Sequence, residues 1–322
     1  MRQAEAVTKT YRDPVSHDIE LPLEAFHFPQ GFRLKLLTNS AEVHAAAEES
    51  WGFQRLEFER PALEVRIVVR DQGCLANEPA FLSQGHIITL VADRDNFGCV
   101  DFRSLFAYAF VSRQTAADHS WFRWYFLEPL VYLLLTQTYT LPIHAACIAK
   151  NGRGLLISGA SGAGKSTLAF ASARAGWTFV SDDATSLLQD SDDRIAIGRP
   201  HQARVRDDAP QFFPELEGYV TRARPNGKLS IEIPMADFPA IRTALHCSIE
   251  SVVCLDRRPG RPSLERISGE ESGAALASEM PTYGHEVRGR HERTINRLVS
   301  LPAYRIRYQR LEDAIALLET IV

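Results

Sequence analysis

The chain has 322 residues, of which 45% are apolar and 24% charged, with a formal net charge of −4. That length and composition fit two domains with real cores and exclude a disordered, collagenous or disulfide-stapled chain. A mildly acidic chain also lacks the dense basic stripe that a sequence-independent nucleic-acid surface needs. The charge is uneven, however. Residues 1–139 hold 13 basic and 18 acidic residues, giving −5, and the remainder holds 23 and 22, giving +1. Anion chemistry is therefore expected in the C-terminal part. Of the 36 basic residues only Lys9, Lys35, Lys150, Lys165 and Lys228 are lysines, so a lysine inside a phosphate motif stands out. Five cysteines without CxxC spacing argue against a disulfide framework or zinc site and for a reducing cytoplasm.

The first residues are charged and lack an apolar core, so no secretory signal is expected, and residues 1–30 read as a loose lead-in containing Pro14, Pro22 and Pro29. Phe32–Leu37 reads as a strand and Ser40–Ser50 as a helix capped by Ser40. Leu63–Val69 and His86–Ala92 alternate like half-buried strands. The apolar run Trp121–Leu141 carries Arg123, Glu128 and Pro129. It is too interrupted to span a membrane and predicts a buried helix that kinks or restarts at the proline. Residues 1–138 are thus expected to form a mixed αβ domain for packing, recognition or regulation, and no catalytic motif stands in them. Pro142–Lys150 and Gly154–Ser158 read as two strands joined at Asn151-Gly152, a strong hairpin signal. The terminal segment from Arg310 reads as a final helix.

Gly159-Ala160-Ser161-Gly162-Ala163-Gly164-Lys165-Ser166 satisfies G-x-x-x-x-G-K-S/T in full, and Thr167 follows it. Its glycines let backbone N–H groups turn inward as a phosphate nest, and a helix beginning near Lys165 adds its positive end. Lys165 supplies charge for the β- and γ-phosphates, and the Ser166 hydroxyl suits magnesium. An apolar strand before the loop and a helical pattern after it give the motif its context. Trp177–Val180 then reads as a parallel strand returning beside the loop and ending near Asp182 and Asp183. One carboxylate there serves magnesium and the other takes a proton from an attacking hydroxyl, in an order the sequence leaves open. His144, ending the strand before the loop, suits proton relay or charge stabilisation if it lies near the γ-phosphate.

The run from Ile143 to Asp183, with its histidine, hairpin, glycine loop, helix and Asp pair, resembles the catalytic domain of the HPr kinase/phosphorylase family. Phosphoenolpyruvate carboxykinases share that architecture more distantly. The resemblance is close over that run and looser as far as the C-terminal helix. It implies an α/β fold, with a P-loop kinase domain over 139–322 behind the N-terminal αβ domain. It also implies transfer of phosphate from ATP, with Mg2+, to a serine hydroxyl, and it places His144, Lys165, Ser166, Asp182 and Asp183 at family functional positions. The family's E-I-R-G-L-G signature is not present, so the resemblance carries neither reverse phosphorolysis nor HPr as acceptor.

In place of that signature stands Ile197–Leu216, with Arg199, His201, Arg204 and Arg206. Arg204 and Arg206 share a face of a strand-like segment and, with Lys228, are further candidates for phosphate or substrate contact. Asp256 ends the apolar run Val252–Leu255 as an acid of unassigned use, and Arg288, Arg290, Arg293 and Arg297 read as a solvated or salt-bridged helix face, with docking of an acidic acceptor or a neighbouring subunit as the alternative. The expected protein is a cytoplasmic kinase acting on a protein or peptide serine, free of nucleic acid and membrane, with self-association left open. A small-molecule kinase and a nucleotide-gated binding module are the alternatives.

Overall fold

The protein, described here from a computed structural model, is defined over residues 19–191, 193–223, 229–258, 260–278 and 285–322. Lys228 lies outside those residues. The first sheet holds β1 (Leu23–His27), β2 (Phe32–Thr38), β3 (Phe58–Arg70), β4 (Ala80–Gln84), β5 (Ile87–Val91), β6 (Phe97–Asp101) and β7 (Phe106–Ser112), in the spatial order β1-β2-β3-β7-β6-β5-β4. β2, β3 and β7 run parallel, and the other pairings are antiparallel. Along β2 every second residue is buried, which the alternation of Phe32, Leu34 and Leu36 dictates.

Helix α1 (Ala41–Trp51) bridges the parallel pair β2 and β3. Ser40 stands at its N-cap without a side-chain bond to the helix, and its own N–H donates to Thr38 Oγ1 at 3.2 Å. After α2 (Arg113–Ala117) and α3 (His119–Phe122), residues Arg123–Leu127 widen into π-helical turns. Helix α4 (Glu128–Thr138) then restarts with Pro129 in its first turn, where the missing N–H needs no partner. Phe122, Phe126, Leu130 and Leu134 bury fully against Leu34, Leu36, Val65 and Ile67. Truncating one such leucine to alanine costs about 2–5 kcal/mol. Packing crosses position 139: Tyr139 stacks on Phe32, and Leu188, Ile197 and Val287 enter this core.

The second sheet holds β8 (Thr140–His144), β9 (Ala146–Lys150), β10 (Arg153–Ser158), β11 (Thr178–Ser181), β12 (Ala184–Leu188), β13 (Ile195–Ile197) and, later in the chain, β17 (His246–Asp256), β18 (Ser263–Ile267) and β19 (Ala303–Arg307). A separate sheet of β14 (Gln202–Arg206), β15 (Thr221–Ala223) and β16 (Leu229–Pro234) is ordered β14-β16-β15. The remaining helices are α5 (Lys165–Arg174), α6 (Gly269–Ser278), α7 (His285–Val299) and α8 (Leu311–Glu319). Strand β17 ties the second sheet together. Its start pairs antiparallel with β13, and its end runs parallel to β10 and β19. The molecule is therefore mixed α/β, and among its described residues no helix is long and apolar enough to cross a membrane.

Three expectations change. Leu23–His27 is an edge strand rather than lead-in, anchored by the Lys35–Glu24 ion pair at 3.0 Å. Pro142–Lys150 is two strands, because the chain turns a corner at Ala145, whose carbonyl accepts from Thr185 Oγ1 at 2.7 Å. β8 accordingly pairs with β12, and β9 with β10 and β11. Finally, β11 is not next to β10, because β9 lies between them, antiparallel to both.

Candidate active site

Strand β10 is buried from Gly154 onward because β9 and β17 flank it on both edges. It delivers the chain at Ser158 into the glycine loop. Gly162 (φ +88°) and Gly164 (φ +94°) take the left-handed conformation that glycine adopts without steric cost. The curl is closed by Ala163 N–H donating to the Ala160 carbonyl at 2.9 Å. At Gly159 a Cβ would stand only 3.1 Å from Ala163 Cβ and 3.2 Å from Leu255 Cβ, so a small residue is needed there too. Gly164 caps α5, whose Leu168, Ala169 and Phe170 are fully buried and hold the helix against the sheet. The Lys165 side chain folds back over its own loop, donating to the Gly159 carbonyl at 2.6 Å, and is only 4% exposed.

One open cleft gathers most of the sequence candidates. Ser161, Gly162, Gly164, Lys165, Ser166 and Thr167 line it from the loop side. His144 and Asp183 line it from the ends of β8 and β12, whose antiparallel register sets His144 opposite Ala184. His144 Nδ1 lies 3.0 Å from Asp183 Oδ1, with both side chains about one-third exposed. Arg204, Arg206, Phe212 and Leu229 line the opposite side, brought there by the small sheet and the turn after it. Among the described residues no cluster of three or more His, Cys, Asp or Glu side chains forms a ready metal cage.

The two aspartates are used differently. Asp182 is buried, does not line the cleft, and accepts the Arg204 backbone N–H at 2.6 Å through Oδ2. Burial pushes its carboxyl up to about 6, an effect that hydrogen bonding to that N–H only partly offsets. Asp183, one residue on, faces the cleft and His144. The arginines differ likewise. Arg204 Nε is 2.9 Å from Glu232 Oε1, whereas Arg206 reaches over the loop, its Nη2 2.9 Å from where a Cβ on Gly162 would be.

The other candidates lie elsewhere. Arg199 and His201 line a second cleft, where Arg199 stacks over Tyr132 at 4.7 Å and His201 meets Phe53. Asp256 has a structural use: Arg258 and Arg307 grip it at 2.7 and 2.9 Å and hold its carboxyl far below the ordinary range. The α7 arginines divide: Arg288 is salt-bridged to Glu292, while two others turn inward. Arg290 donates to the Gln137 carbonyl and Arg297 to the Leu188 carbonyl, tying α7 to α4 and β12. The cleft also holds a residue that the sequence reading passed over, Arg257, directly after β17. Its only sequence signal is its place next to a strand-end acid.

The fold and cleft define a mixed α/β protein with a glycine loop at a strand-to-helix junction. A family model described as SynChlorMet cassette protein ScmC matches residues 111–197, the stretch from the end of β7 through α4, the glycine loop and the Asp pair to β13. No curated protein matches the chain. Among solved structures, the HPr(Ser) kinase/phosphatase from Coxiella burnetii is similar at 13% identity, over 56% of this chain and 96% of that one, with a TM-score of 0.29.

Proposed function

We propose that this protein is an ATP-dependent kinase that transfers the γ-phosphoryl group to a hydroxyl, most fittingly a serine of a protein or peptide. One observation carries the reading: the His144–Asp183 pair faces the same cleft as the glycine loop and Lys165. A nest of backbone N–H groups, a helix N-terminus and a lysine suit a polyphosphate, and a carboxylate beside them suits an acceptor proton.

The donor set fits ATP with magnesium. Loop amides and Lys165 would hold the phosphates, and the Ser166 hydroxyl would share magnesium with phosphate oxygens. Bound there, magnesium would draw negative charge off the phosphates. Lys165, which now donates to the Gly159 carbonyl, would turn its ammonium to a phosphate oxygen. Asp183 accepts the proton of the acceptor hydroxyl, and His144 fixes the orientation of that carboxylate and shares its proton. Asp182, turned away from the cleft, holds β14 through the Arg204 N–H and so keeps Arg206 over the loop. Phe212 and Leu229, each about half exposed on the cleft wall, give the acceptor or the nucleobase an apolar surface.

The test is incubation with γ-labelled ATP, magnesium and the host's proteins and metabolites, for the wild type and Asp183→Asn. Label on a protein or peptide serine that vanishes with the variant supports the reading. Label confined to metabolites replaces it with a small-molecule kinase, and slow hydrolysis alone with a nucleotide-gated module.

A further inference from the structure

Arg257 is poised in the cleft by a small built device. The parallel strands β17 and β19 end side by side, with Asp256 in register with Arg307. Arg258 and Arg307 both close on Asp256, which fixes the strand end. Arg257 is left to turn the other way, toward the loop. Its Nη1 stands 2.9 Å from the place a Cβ on Gly164 would occupy. Its guanidinium carbon lies 5.2 Å from the ring centre of Tyr308, the residue after β19, which is itself only 1% exposed. A guanidinium set against an aromatic ring and its hydroxyl is held in place, and its fork carries further N–H donors.

The charges around it indicate what it awaits. Arg206 and Arg257 reach the glycine loop at Gly162 and Gly164, and all three of Arg206, Arg257 and Lys165 line the cleft. Among the described residues neither Arg206 nor Arg257 has a carboxylate partner, whereas Arg204, Arg258, Arg305 and Arg307 all do. The cleft's own acids are Asp183, set against His144, and Asp208. Two guanidiniums turned toward the same glycine loop offer an anion with several oxygens charge-assisted contacts from both.

We propose that Arg257, held on Tyr308, is a phosphate-binding residue that grips the nucleotide's phosphate chain from the α5 side of the loop, opposite Arg206. This rests on the kinase reading. It assigns Arg257 to the phosphates rather than to the nucleobase or the acceptor.

The experiment is calorimetric titration of Mg-ATP and, separately, of adenosine at one fixed salt concentration. The proteins are the wild type, Arg257→Ala, Arg257→Lys, Tyr308→Leu and Arg261→Ala, the last removing an exposed charge that does not line the cleft. Arg257→Ala should weaken ATP about tenfold or more while leaving any adenosine binding unchanged, as befits a lost charge-assisted contact. Arg257→Lys should recover part of the loss. Tyr308→Leu, if it folds, should shift ATP toward the Arg257→Ala value without shifting adenosine. ATP binding within twofold of wild type in Arg257→Ala overturns the proposal, as does an equal loss in Arg261→Ala. If wild-type protein binds no ATP, the kinase reading falls and this proposal with it. If the wild type binds and Arg257→Ala binds equally well, only this proposal falls.

Discussion

His119 and His144 both stand against carboxylates, yet the two sites are built to different ends. His119, at the start of α3, sits between Glu49 at 2.6 Å and Glu42 at 2.9 Å, and Arg123 closes on Glu49 at 2.9 Å. The charges there answer one another, and the cluster staples α1 to α3. His144 meets one carboxylate, Asp183, on the wall of a cleft that also holds Lys165, Arg206 and Arg257. The arginines show the same contrast. In the first sheet Arg66 and Arg70 lie over Phe106 and Phe110, and Arg66 also pairs with Glu64 at 2.6 Å. In the cleft Arg206 and Arg257 face the glycine loop instead. A histidine–carboxylate pair is structural where its neighbours balance it and becomes a candidate for chemistry where it shares a cleft with a glycine loop and a lysine.

On the kinase reading, the largest test of that contrast is Lys165→Ala, which should reduce phosphoryl transfer about 100- to 1,000-fold or more by removing a fixed charge beside the phosphates. His119→Ala should leave transfer intact, and an equal loss there would dissolve the distinction. Next, Asp183→Asn should lower the transfer rate about 100- to 10,000-fold while preserving ATP affinity, the range for a lost general base. Glu49→Gln, in the balanced cluster, should leave the rate unchanged in the same assay.

The third test concerns stability. The carboxyl of Asp182 is raised by burial to about 6 in the folded chain, from 3.8. The folded state therefore holds its proton more tightly, and the advantage present below about pH 4 is lost as pH rises through 6. Asp182→Asn should stabilise the fold by about 1–3 kcal/mol in urea titrations at pH 7.5, because no charge is then buried. The gain should shrink steadily toward pH 4. A variant less stable than wild type at pH 7.5 would mean that the ionised carboxylate is needed to hold β14.

The smallest effect belongs to the balanced cluster. Hydrogen bonds to Glu49 and Glu42 raise the His119 pKa, so its contribution is fully present below about 6.5 and lost as pH climbs through the raised value. With both glutamates about half exposed, solvent screening keeps the contribution below about 1 kcal/mol. His119→Gln should lower the melting temperature at pH 5.5 and have little effect at pH 8.5.

Local chemistry was legible where it is short in sequence. The glycine loop, its flanking strand and helix, the Asn151-Gly152 hairpin (φ 52° and 78°) and the restart of α4 at Pro129 all follow from neighbouring residues. The Leu23–His27 strand was hidden because flanking prolines and exposed side chains mask an edge strand's alternation. The corner at Ala145 was hidden because both strands meeting there read as apolar, and a sidewise bond from Thr185, 40 positions away, decides the break.

Charge and lysine usage single out the C-terminal half, and motif spacing singles out Lys165, Ser166 and the Asp pair. Those are properties of one stretch of chain, so the sequence alone determined them. Which aspartate faces the cleft, which arginines lack a carboxylate partner among the described residues and where Arg257 sits were decided only by tertiary structure. The reason is register. Asp182 and Asp183 are neighbours with the same chemistry, but successive side chains near a strand end point to opposite sides. One is buried against the Arg204 N–H, and the other meets His144 in the open.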